Sequence, residues 1–219
     1  MNERKVIRTL ILLLVGIDVA LVVSTYVLST VVHGYLDYPY LYLSNTFVED
    51  PARAISAFVL PFSGIIIAIV AGRHLWSMRP FLVIPKSYKI WKFGCGSVFA
   101  MLVGFIGVGA VTWETFPLIH LIVAFLLFVG AECACTAINW LTGHLALDVP
   151  AWLQNTRVGL TAVAVICAFV LAVTVSPSRI TSAIAELIMV VLLILYFVTL
   201  AHSSSFPIRQ QMLNTVAAD

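Results

Sequence analysis

Six apolar runs, each long enough to cross a hydrocarbon layer as a helix, dominate this chain of 219 residues. They cover approximately residues 6–28, 54–75, 93–112, 118–141, 158–175 and 182–201. A bilayer core takes roughly 20 apolar residues in helical form, and a helix satisfies its own backbone there, so each run is expected to be one transmembrane helix. Composition closes the other route: 62% of residues are hydrophobic and only 10% charged, too little charge to clothe a water-facing surface. A soluble enzyme and a nucleic-acid binder are both excluded. The expected fold is all-α, a polytopic membrane bundle formed as a single domain over residues 1–219, with 202–219 as a short tail.

Orientation is argued from Lys and Arg, which resist translocation more than acidic residues do. One side of the expected topology collects Arg4, Lys5, Arg8, Arg73, Arg79, Lys86, Lys89, Lys92, Arg157 and Arg209; the other has only Arg53 and Arg179. Both termini are therefore expected in the cytosol. Trp76, Trp91, Trp140 and Trp152 would mark the inner interface, and Trp113 with Tyr35, Tyr38, Tyr40 and Tyr42 the outer one. The first span lacks a small-residue cleavage site before polar sequence, and is read as an uncleaved anchor. Pro61 alone among the prolines falls inside a span.

Small residues recur at spacing four on two spans: Gly64, Ala68 and Gly72 on the second, Gly96, Ala100 and Gly104 on the third. In lipid such rows let helix backbones approach, so they are expected to pack spans of one chain together, with a dimer seam as the alternative. Cys95, Cys133, Cys135 and Cys167 all lie within spans and are read as small apolar filler.

Carboxylates at membrane depth are expensive unless neutral, paired or hydrated, so Asp18, Glu132 and Glu186 are candidate functional groups. Helical spacing puts Glu132, Thr136 and Asn139 on one face, and no Lys or Arg is expected in the interior beside them. His120 opens the fourth span and Glu186 the sixth, both toward the exoplasmic side. A base with an orienting acid and a structural hydrogen bond are both open readings of that pair. Of His33, His74, His120, His144 and His202, only His120 is clearly inside a span. Opposed histidine pairs at two depths are missing, so neither haem nor a metal site is expected.

The first outer loop, YPYLYLSNTFVEDPARAISAF over residues 38–58, opens aromatic-Pro-aromatic and closes with an acidic-Pro step into the next helix. It resembles the loop of the DRAM/FRAG/Sfk family, the damage-regulated autophagy modulator group that includes Cwh-type N-terminal domains. Two other stretches are similar to that family: IGVGAVTWETFPLIHLIVAFLLF over 106–128, with His120 at the family's histidine, and SAIAELIMVVLLILYFVTLAHSSSF over 182–206, with Glu186 in its acidic position. At the loop core, Asn45-Thr46-Phe47 stands where the family usually has Asp-Thr-Gly.

The resemblance implies a small six-span protein of plasma, lysosomal, endosomal or secretory membranes whose relatives act in autophagy, lipid organisation or lipid remodelling. The first expectation is a non-enzymatic regulator. Its outer loop residues Tyr38, Pro39, Tyr40, Ser44 and Asn45 would engage membrane lipids, a partner membrane protein or a second copy, and no cofactor is expected. The second is an enzyme or enzyme subunit in GPI-anchor or other acyl remodelling, with His120 and Glu186 as its catalytic pair. The third is a channel or transporter accessory subunit using Asp18, Glu132 and Asn139.

Overall fold

In the computed structural model, residues 3–31, 50–112, 114–145, 149–174 and 179–203 are described. They form six long helices: α1 (Glu3–Val31), α2 (Ala52–Met78), α3 (Pro85–Ala110), α4 (Pro117–His144), α5 (Ala151–Thr174) and α6 (Arg179–Ser203). A single 3-10 turn, Arg79–Phe81, follows α2. There are no strands among the described residues, and all six helices are long and apolar enough to cross a membrane. Proline sits at the start of α3 (Pro85) and α4 (Pro117), where its missing N–H would have had no partner in any case.

Each helix packs on the next in sequence, and α6 returns to α1, closing a ring. Neighbours run antiparallel: Leu21 of α1 meets Val59 and Leu60 of α2, while Asp18, one turn earlier, meets Ser63 one turn later. One end of the bundle therefore gathers the start of α1, the ends of α2, α4 and α6, and the starts of α3 and α5. It is called the terminal end below. The largest cluster of buried core residues comes from α1, α2, α3, α4 and α6, among them Leu14, Leu75, Met101, Ile138 and Leu200, while α5 buries Leu153 and Ala164 outside it. Among the described residues of α5, half-buried Leu160 packs against that cluster.

The outer girth is apolar. Phe58, Phe99, Phe125 and Phe169 are all more than 60% exposed, on α2, α3, α4 and α5 respectively, as a surface bathed in hydrocarbon requires. At the terminal end the apolar belt gives way to aromatic and basic pairs. The Arg79 guanidinium lies 4.7 Å over the Trp76 ring, Lys92 lies 4.7 Å over Tyr88, and Lys86 lies 5.5 Å over Trp140. Such pairs suit the headgroup layer, where one face of a ring is wet and the other is not.

The helices reach further than the apolar runs do. The third begins at Pro85 rather than at residue 93, and the fifth at Ala151 rather than at 158. Hydropathy detects only the part in hydrocarbon, whereas backbone hydrogen bonding continues through the basic and aromatic turns of the interface.

Candidate functional site

The densest polar structure in the interior joins α4, α5 and α6 and is built around Asn139. This asparagine is buried on α4, facing α5 and α6. Its Nδ2 donates to the Thr161 hydroxyl at 3.0 Å, with a longer 3.4 Å contact to the Arg157 carbonyl. Its Oδ1 accepts from the Tyr196 hydroxyl at 2.8 Å, and that same hydroxyl lies 3.1 Å from the Cys135 carbonyl. Gln154 Nε2 donates to the Asn139 carbonyl at 2.9 Å. One amide thus engages both neighbouring helices, as an intramembrane amide must if it is not to be stranded in hydrocarbon.

Arg157, one turn from Gln154, is completely buried. Its Nε donates to Thr199 Oγ1 at 3.1 Å and its Nη2 to the Thr199 carbonyl at 2.8 Å, clamping α5 to the last turns of α6. Carbonyls near a helix C-terminus carry partial negative charge, so this acceptor suits a cation. Nη1 makes no hydrogen bond. The expectation of an interior without Lys or Arg is corrected here: Arg157 precedes the apolar run of residues 158–175, reads as a flank in sequence, and is folded inward by the clamp to Thr199.

One turn deeper on the same face of α5 lies a small cleft between α4, α5 and α6, with room for about 10 Å³. Leu160, Ala164, Leu192 and Leu193 make its apolar walls; Glu132, Thr161 and Tyr196 supply its polar groups. Glu132 Oε2 is buried there without a hydrogen-bond partner. The inward row on α4 runs through Cys135 and Asn139, whereas Thr136 is exposed. At 100° per residue the buried face lies to one side of Glu132, and Thr136 falls on the other, so Thr136 leaves the row expected from spacing alone.

The remaining sequence candidates lie apart from this network. Asp18 of α1 accepts from the fully buried Ser63 of α2, Oγ to Oδ1 2.6 Å. His120 is buried at the start of α4, its Nδ1 2.6 Å from the Val111 carbonyl at the end of α3. A carbonyl can only accept, so Nδ1 carries the proton and Nε2 is the basic nitrogen. Glu186 is buried near the start of α6. Tyr38, Pro39, Tyr40, Ser44 and Asn45 lie outside the described residues, as does the tail beyond 203.

The small-residue rows divide. A Cβ on Gly64 would stand 2.5 Å from Phe105 Cβ of α3, and one on Gly104 would fall on the Leu127 backbone of α4. Gly72 and Gly96 have nothing within 4 Å of that position, while Ala68 and Ala100 are half-buried. Glycines outside the rows also bring helices together. A Cβ on Gly130 would lie 2.6 Å from the Met101 nitrogen, and one on Gly109 would lie 2.9 Å from the Pro61 ring. Gly130 and Ala134 have the same spacing of four, the signal by which Gly130 can be found; Arg157 and Thr161, also four apart, are the corresponding signal on α5.

Among known families, the model for the Frag1/DRAM/Sfk1/Cwh43P N-terminal domain matches residues 6–202. No curated protein and no solved structure matches the chain.

Proposed function

The chain belongs to the Frag1/DRAM/Sfk1/Cwh43P N-terminal domain family, and from that premise we propose that it is a non-enzymatic multi-pass protein that organises membrane lipids or a partner membrane protein. The observation carrying this reading is the use made of the interior polar groups. Asn139, Thr161, Tyr196 and Thr199 bond across helices or to main chain, tying α4, α5 and α6 into one body. A scaffold needs such ties to hold a fixed lipid-facing surface. In our reading both termini face the cytosol, supported by the ten-to-two division of basic residues between the two sides, and the host membrane is plasma, lysosomal, endosomal or secretory.

The test is removal of the protein from a cell that makes it, followed by measurement of lipid composition and leaflet distribution and of the proteins co-purifying with it. Altered lipid distribution or a lost complex is expected. Turnover of a GPI or acyl lipid by the purified protein would overturn the non-enzymatic part. Cysteines placed at Asn45 and Ser178 are expected to react with an impermeant reagent from the exoplasmic side, and one at Lys89, exposed at the terminal end, is not. Labelling at residue 89 from that side would reverse the orientation.

One observation favours the enzyme reading. The Val111 carbonyl fixes the His120 tautomer with Nε2 basic, an arrangement that general bases use. Glu186→Gln keeps volume and hydrogen-bonding capacity while removing the acid. On our reading the variant folds and retains full cellular function; a folded variant losing on the order of a hundredfold activity would point to chemistry at this pair.

A further inference from the structure

We propose that Lys86, Lys89 and Lys92 on the outward side of α3, together with Arg79 at the corner between α2 and α3, form a binding surface for anionic phospholipid headgroups of the leaflet at the terminal end. This deepens the lipid side of the function proposed above and rests on it. The sequence supplies the charge without its usual partner: no Asp or Glu occurs between residues 51 and 113, a stretch that contains all four of these cations. All four are exposed. Three of them lie over aromatic rings rather than beside carboxylates, Arg79 over Trp76, Lys86 over Trp140 and Lys92 over Tyr88. Their positive charge is therefore still open to an anion from outside the chain.

Helical geometry turns the lysines toward lipid. Ser87, Trp91, Gly94 and Val98 are buried along this part of α3. At 100° per residue Lys89 points away from them, with Lys86 and Lys92 about 60° to either side. Exposed Phe93 and Phe99 lie on the same side and continue it as apolar girth, so the lysines stand where the hydrocarbon-facing surface of α3 ends. The three span roughly 9 Å of helix at 1.5 Å per residue, comparable with the depth of a headgroup layer. The rings also fix the outer cations. Tyr88, Trp91 and Trp76 form a row with neighbouring centroids 5.8 and 6.0 Å apart, leading from Lys92 on α3 to Arg79 beyond α2. Trp91 at its centre is anchored by its Nε1, which donates to the Leu75 carbonyl at 2.8 Å. Cations already held over rings lose less freedom when a phosphate arrives. A soluble acidic protein would approach from beyond the end of the bundle, whereas this surface lies along its side, so the occupant is lipid, and clustered cations there favour an anionic one.

The experiment uses the full chain in phosphatidylcholine nanodiscs carrying a small share of nitroxide-labelled phosphatidylserine or nitroxide-labelled phosphatidylcholine. Electron spin resonance reads how strongly each label is held at the protein surface. The wild type is expected to hold phosphatidylserine about tenfold or more over phosphatidylcholine. Combining Lys86→Gln, Lys89→Gln and Lys92→Gln is expected to bring that ratio to within about twofold of unity. Combining Arg4→Gln, Lys5→Gln and Arg8→Gln removes the same charge from the start of α1 at the same end, and is expected to retain more than about half of the wild-type ratio. Should the triple lysine variant fail to fold, Lys89→Gln alone, at the exposed centre of the group, decides the matter by a loss of about fivefold. Polyglutamate added to the buffer is expected to leave the wild-type ratio unchanged.

Equal retention of the two labels by the wild type would overturn the proposal. Equal losses in the lysine and α1 variants would overturn it too, since the preference would then belong to the field of the whole end. Displacement of labelled phosphatidylserine by polyglutamate would make the surface one for an acidic protein segment, which also overturns it. Failure of the surface and failure of the broader reading are separable. Unchanged lipid distribution in cells lacking the protein counts against the function, whereas altered distribution without a phosphatidylserine preference in nanodiscs removes this surface only.

Discussion

Helices α3 and α4 meet through glycine, while α4, α5 and α6 meet through amide, hydroxyl and guanidinium groups. At the first seam Gly104 and Gly130 remove the side chains that would hold the backbones apart, so Leu127 of α4 and Met101 of α3 come within contact of the opposing main chain. At the second, the helices are joined by bonds from Asn139, Arg157 and Tyr196. Lipid tails are as apolar as leucine, so neither seam draws on a hydrophobic drive; the first uses dispersion at close range and the second uses directed bonds. The first tolerates no added volume, whereas the second tolerates loss of one bond if its partner finds another.

The largest effect expected from breaking this contrast is at Gly104. Gly104→Leu would drive its side chain into the Leu127 backbone, which cannot yield without moving α4, and the variant is expected not to fold. Gly104→Ala, with one methyl, is expected to lose about 1–3 kcal/mol. Reversible unfolding in mixed micelles measures both. Wild-type stability in either would mean that shape does not hold this seam.

Effects at the polar seam are expected to be smaller. Tyr196→Phe deletes the hydroxyl that bonds Asn139 Oδ1, and interhelical bonds of this kind are worth about 0.6 kcal/mol on average and 1.7 at most. Asn139→Leu removes the hub and leaves the Thr161 hydroxyl to the Arg157 carbonyl of its own helix and the Tyr196 hydroxyl to the Cys135 carbonyl of α4, so about 1–3 kcal/mol is expected. The double variant is the sharper measurement: its loss should fall short of the sum of the single losses by about 0.5 kcal/mol or more, because both remove one shared bond. Strict additivity would show that the bond contributes nothing and that the seam is held by packing alone.

Six apolar helices were legible in the sequence because bilayer thickness imposes one length on every span, a constraint stronger than any local propensity. The interior site was legible only in part. Glu132 and Asn139 stand out as polar residues in apolar runs, and the structure puts both in or beside the α4–α5–α6 contact. Arg157 did not, since a cation in the first turns of a helix reads as an interfacial flank unless one knows that Thr199 waits on α6. Thr161 is camouflaged because its hydroxyl can satisfy itself on the carbonyl four residues earlier and so carries no warning of cost, and Tyr196 because its ring reads as core. Pairings between helices distant in sequence are what spacing along one helix cannot supply. Thr136 is the converse case, correctly placed on its own helix and outside the face the bundle chose.

The smallest effect, and the most telling for the glycine rows, is at Gly96. It belongs to the same spacing-four row as Ala100 and Gly104, so a reading from spacing alone assigns it the same intolerance. Its Cβ position nevertheless has nothing within 4 Å and the residue is exposed, while Gly104 is buried against Leu127. A row at spacing four drifts around a helix of 3.6 residues per turn by about 40° each step, so eight residues carry its first member well away from the contact of its last. In mid-helix, alanine is favoured over glycine by about 0.8–1 kcal/mol, because the glycine backbone has more freedom to lose. Gly96→Ala is therefore expected to leave stability unchanged or raise it by up to about 1 kcal/mol, opposite in sign to Gly104→Ala on the same helix. Gly72→Ala, also in open space, is expected to behave as Gly96→Ala does. A loss at Gly96 as large as that at Gly104 would mean that something covers this face of α3 in the membrane, and a second copy of the chain on the row would then become the reading to pursue.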